Sequence, residues 1–229
     1  MKNMKRILVA LVAAMLLVAM SVGGTLAWLT STSAPVNNTF VVGDVKIKLD
    51  ETTVTYNKAE NYWKSSGDRT NENTYKILPG VQIDKDPTVY VLANSEDCYV
   101  RTIVSVTYSK EADTWFAEKQ IDPLTWVTWN NSWIKPAAPY KVEETETTVT
   151  RLYEVRYNAI VALNEQDQTL PAVFTKITIP ADLSNTDIAL LANFKVDVIA
   201  HAIQSDGFAN ADEAWAEFAL PASVPVGTV

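Results

Sequence analysis

The sequence predicts an all-β chain, β-rich with a few short helices, folded as an antiparallel β-sandwich. Two observations carry this: apolar and polar residues alternate over short runs bounded by turn residues, and helical periodicity is confined to brief segments. A third sets the scale. With 229 residues, 48% hydrophobic and 20% charged, the chain is long enough for one sizeable core and favours one domain over several.

The first residues stand apart from that core. Lys2, Lys5 and Arg6 precede an apolar run, Ile7–Val22, and small residues Gly23, Gly24, Thr25 and Ala27 follow before Trp28. This is the order of an export signal, with cleavage expected between Ala27 and Trp28. The run is shorter than the roughly 20 apolar residues that span a bilayer, so membrane contact is expected only through the uncleaved leader. The expected organisation is a signal peptide over 1–27, an extended segment over 28–38, and a single sandwich domain over 39–229.

Strands come next in order. Val45, Ile47 and Leu49 alternate with Lys46, Lys48 and Asp50. Val100, Val104, Val106 and Tyr108 share one parity against Arg101, Ser105 and Thr107, and Val149, Tyr153, Val155 and Tyr157 do so against Thr148, Thr150, Glu154 and Arg156. Val173, Ile177 and Ile179 precede Pro180, and Phe194–Gln204 forms a long final run. Each run is expected to bury one face and wet the other, as antiparallel sheets do. Helices are expected at Lys110–Lys119 behind the N-cap Ser109, within Asp182–Asn193, and after Asn210, where Glu213 suggests a capping box. Ala211, Ala214, Trp215 and Phe218 then form a stripe read as a lid over the sandwich. The polar stretches Asn57–Thr74 and Pro136–Thr147 read as loops or extended edges.

Chemistry-bearing patterns are sparse. Cys98 is the single cysteine, so no intramolecular disulfide exists, and its place at a strand start reads as a buried, inert thiol. His201 is the single histidine and alternates with Ile199 and Ile203, which reads as packing. There is no His-Glu-x-x-His helix, no cysteine pair for zinc, no Gly-rich phosphate loop and no nucleophile elbow. No catalytic, cofactor or metal residue is therefore assigned. Glu143, Glu144 and Glu146, and Asp84 with Asp86, lack the ordered spacing of a calcium loop and read as solvated faces. Trp126, Trp129 and Trp133 read as core filling with some interface use rather than as a sugar platform. The sequons at Asn37 and Asn130 carry little weight.

Charge narrows the partners. Without the leader, 16 basic residues face 27 acidic ones, a net of −11. Such a body repels phosphate backbones, so nucleic acid is excluded as the expected partner.

The leader ending Gly-Gly-Thr-Leu-Ala-Trp, followed by Thr39-Phe40-Val41-Val42-Gly43-Asp44-Val45, resembles proteins exported through the SipW-type signal peptidase. That group includes the TasA and camelysin (CalY) biofilm-matrix proteins of Gram-positive bacteria. Leu78-Pro79-Gly80, Lys85-Asp86-Pro87-Thr88-Val89, Asn94 and Tyr99-Val100-Arg101 are similar to the group's middle strand pair, and Ala202-Ile203-Gln204 with Ala214-Trp215 resembles its end. Ser95 departs from the group's pattern, which has glycine there, and the middle of the chain carries no matching motif.

The resemblance implies a jelly-roll-like sandwich, processed by a SipW-type peptidase, that self-associates into homopolymeric fibres by donating its N-terminal segment. The segment so implied is Trp28, Leu29, Thr30, Ser31, Thr32, Ser33 and Ala34. It also implies a secreted protein of the extracellular matrix or cell surface, with other matrix proteins as further partners. The alternatives are a camelysin-like metallopeptidase, for which one histidine leaves only an all-carboxylate site, and a surface adhesin using exposed tryptophans.

Overall fold

A computed structural model of the chain describes residues 30–33, 38–39 and 45–222. The cleavage residues Ala27 and Trp28, together with Leu29 and Ala34, lie outside the described residues. In chain order the first strands are β1 (Thr30–Ser33), β2 (Asn38–Thr39), β3 (Ile47–Asn57), β4 (Tyr62–Thr70), β5 (Gln82–Asp84), β6 (Thr88–Val91) and β7 (Cys98–Ser109). Helix α1 (Lys110–Lys119) and a 3-10 turn (Pro123–Trp126) lead to β8 (Val127–Trp129), β9 (Trp133–Ile134), β10 (Lys141–Glu144) and β11 (Thr148–Tyr157). The chain continues through β12 (Gln168–Thr169), β13 (Phe174–Thr178), α2 (Asn185–Leu190), β14 (Lys195–Gln204) and α3 (Ala211–Glu217).

These strands form two sheets, as the alternation predicts. One runs β10-β11-β7-β14-β1-β2, with β9 on the far end of β11; the other runs β12-β6-β3-β4-β5-β13-β8. All pairings are antiparallel except the short β4–β5 contact. The long strands lie in the order their parity demands: β7 pairs β14 from Cys98↔Gln204 to Thr107↔Lys195, and β11 from Arg101↔Arg156 to Ser109↔Thr148. Val100, Val104 and Val106 on β7 and Val198, Ala200 and Ala202 on β14 then meet Ile47, Leu49, Val89 and Val91 from the opposite sheet in the main core. At roughly 25 cal/mol per Å² of apolar surface removed from water, this interdigitation is the principal source of stability in a chain without disulfides.

One expectation is corrected here. The second face of the central sheet is not wet: Arg101 and Ser105 are each about 1% exposed, and Ile103, Leu152 and Ile199 form a second apolar cluster with Tyr140 and Leu220. The reason is α3 and the tail behind it. Ala214 and Trp215 pack on Ile203, so the C-terminal stripe is a lid, and it lies over the outer face of the sheet. Asn210 caps this helix by accepting from the Glu213 backbone N–H at 3.0 Å, while the Glu213 carboxylate accepts from Ala209. The other helices follow their signals: Ser109 accepts from the Ala112 N–H, and Ser184 and Asp187 form a full capping box on α2.

The polar stretch Asn57–Thr74 also departs from a loop reading, because Tyr62–Thr70 is an interior strand of its sheet, between β3 and β5. Its side chains are mostly exposed, which hides the strand from any search for an apolar face. Pro136–Thr147 contains the edge strand β10, in line with an extended edge. Trp115, Trp126, Trp133 and Trp215 are buried, consistent with core filling.

Candidate functional site at the edge of β14

β14 is the element on which the N-terminal segment converges. Its ten residues pair with β7 along their whole length on one side. On the other side only Ala200–Ile203 is paired, by Ser33–Thr30 in antiparallel register, with Thr32 opposite His201. β2 adds a short outer rung, Thr39 and Asn38 opposite Thr32 and Ser33. Four of the seven expected assembly residues, Thr30, Ser31, Thr32 and Ser33, are thus placed in one strand on one edge; among them Thr and Ser suit an extended backbone.

No strand among the described residues pairs with the outer side of Lys195–Ile199. Beside it lies a cleft of about 380 Å³ between the two sheets, lined by Val196 and Val198 from β14, Leu49 from β3, Ile83 from β5, and Ile177 and Ile179 at β13. An edge without a partner strand among the described residues, next to a cleft with apolar and polar walls, offers both elements of strand addition: main-chain hydrogen bonds along the edge and a recess for alternate side chains.

His201 sits on the opposite face, turned toward the lid. It is 3% exposed, its Nδ1 accepts from Arg101 Nε at 3.3 Å, and its ring lies 5.0 Å from that of Phe218. Burial, with the neighbouring Arg101 charge adding to it, pushes the imidazole down to about 3. Arg101 is itself held by Glu154 at 3.0 Å and by the main-chain carbonyls of Phe218 and Ala219 at 2.8 and 3.3 Å. Its guanidinium stacks 4.3 Å from the Trp215 ring. This group fastens the lid; His201 is one of its packed members, as its apolar flanks predict. Sequence reasoning missed Arg101, since an arginine on the polar parity of a strand gives no sign of burial.

Four of the acidic residues weighed for calcium have protein partners. Asp84 accepts from the Tyr62 hydroxyl at 2.5 Å and the Ser65 N–H at 3.0 Å, and Asp86 from the Thr52 N–H and Arg69, both at 2.6 Å. Glu143 pairs with Lys141 and Glu144 with Lys110. Among the described residues no three His, Cys, Asp or Glu side chains are grouped to hold a metal ion, and no helix is long and apolar enough to cross a membrane. Cys98 opens β7 fully buried, and burial raises its thiol to about 12.

The chain matches no protein-family model, no curated protein and no solved structure.

Proposed function

We propose that this is a secreted structural protein, a subunit of extracellular-matrix or cell-surface fibres of a Gram-positive bacterium, which assembles by exchanging its N-terminal strand between copies. The observation that carries this reading is the pairing of Thr30–Ser33 with the Ala200–Ile203 edge of β14. A strand at the start of the chain that closes the edge of its own sheet can make the same hydrogen bonds to the same edge of a second copy. The contact is heterologous, since strand and edge are different surfaces, so repetition gives an open filament rather than a closed ring. The export-type leader supports the extracellular setting of the proposal.

Deletion of Trp28–Val36 tests it. The truncated protein is expected to stay folded by circular dichroism, because among the described residues the main core begins at Val45 and Ile47, and to form no fibres by electron microscopy. Fibres of normal length from the truncated protein would overturn strand exchange. Loss of the fold would instead show that the strand serves only its own sheet.

A further inference from the structure

Glu51, on β3, faces into the cleft and shares one carboxylate between two nitrogen groups. Oε2 accepts from Lys85 Nζ at 2.5 Å, and Oε1 accepts from Asn73 Nδ2 at 2.9 Å. The Lys85 and Glu51 side chains are 9% and 10% exposed. Tyr75 closes the group: its hydroxyl donates to Glu51 Oε1 at 3.4 Å, and the Lys85 ammonium lies 5.6 Å from the centre of its ring. Burial and the Glu51 charge raise the Tyr75 hydroxyl well above its ordinary value, keeping it a proton donor. Leu49, Ile77 and Ile83 supply apolar lining.

A primary amine and a primary carboxamide are therefore held on the two oxygens of one buried carboxylate. The Asn73 Oδ1 is also addressed, by the Val54 backbone N–H at 3.3 Å. As a bare ion pair this arrangement carries a desolvation penalty comparable to its attraction. As a set of reactants it hangs a nucleophile and an acyl group on the two oxygens of one proton carrier, with a backbone donor at the acyl oxygen.

We propose that Lys85 and Asn73 become joined by an intramolecular isopeptide bond, with Glu51 as the proton carrier. Lys85 Nζ passes a proton to Glu51 Oε2 and, as a neutral amine, attacks Asn73 Cγ. The developing charge falls on Oδ1, where the Val54 N–H donates. Glu51 returns its proton to Nδ2, the Cγ–Nδ2 bond breaks, and ammonia departs. The second proton shed by Nζ follows through Glu51 to the ammonia, which leaves as ammonium and restores the carboxylate. One C–N bond forms and one breaks; no oxidant, metal or co-reactant takes part.

Mass spectrometry of the purified full chain tests this, read against the N-terminus that sequencing finds. The wild-type mass is expected to fall about 17 Da below the sequence value, the mass of one ammonia. Trypsin should release residues 70–76 joined to residues 77–101 as one branched species, because the acylated Lys85 is no longer cut. Lys85→Arg and Glu51→Gln are each expected to restore the full mass. A wild-type protein at its sequence mass, with no branched peptide, overturns the proposal. So does a deficit that persists in Lys85→Arg, which would mark a cyclic imide at an asparagine instead.

Discussion

His201 gives the fold a defined weakness in mild acid. Its folded-state value is about 3, held below the ordinary 6.5 by burial and by Arg101, so the folded protein keeps it neutral while the unfolded chain protonates it below pH 6.5. The unfolded state then binds more protons, and stability rises with pH between about 3 and 6.5 and is lost as pH falls through that window. From pH 7.5 to pH 5 this one group removes roughly 2 kcal/mol. The groups around it are Arg101, with Glu154 and Arg156 behind it, and the rings of Phe218 and Trp215, none of which supplies a carboxylate to the imidazole directly. His201→Gln retains an acceptor for Arg101 and removes the titration. Urea unfolding of both proteins at pH 7.5 and 5 should show the wild type losing about 2 kcal/mol more than the variant. Equal losses in the two proteins would refute the assignment of a buried, neutral imidazole.

Four further outcomes are expected. N-terminal sequencing of the mature protein should begin at Trp28 or within a few residues of it; an intact leader on surface-bound protein would favour an anchor. Replacing Thr30 and Thr32 by proline should leave the core folded while weakening the β14 pairing, seen as faster amide exchange at Ala200–Ile203, because each proline removes a backbone donor. Cys98 should resist thiol reagents in the native protein and react at once on unfolding, given its burial and a thiol raised to about 12. Ser109→Ala should cost about 1 kcal/mol in thermal or urea unfolding, since it removes the acceptor for the Ala112 N–H at the start of α1.

The long strands β3, β7, β11 and β14 and the caps of α1 and α3 were legible because each rests on a local rule: period-two alternation, or an oxygen-bearing side chain ahead of a short apolar stripe. Burial of both faces of the central sheet was not. Arg101 and Ser105 sit on the polar parity of β7, and the face they share is covered by sequence-distant residues, Tyr140 and the segment 211–220. The cluster at Glu51 was hidden for a related reason. Leu49, Asp50, Glu51 and Thr52 are all buried in succession, so the β3 alternation breaks just where charged residues turn inward, and a run of acidic side chains ordinarily marks a solvated face. Partners from 34 residues downstream, such as Lys85, leave no trace in local spacing.

The pairing of Thr30–Ser33 with β14 of the same molecule also has a kinetic side. A segment tethered to its own edge competes there at an effective concentration on the order of millimolar, which a second copy in dilute solution does not match. The backbone hydrogen bonds gained in a neighbour equal those surrendered at home, so exchange by itself is close to thermoneutral and each molecule acts as its own inhibitor. Under the proposed strand exchange, growth would depend on when the strand is released relative to folding, and the rate of opening at β14, rather than the affinity between copies, would set how fast a fibre lengthens.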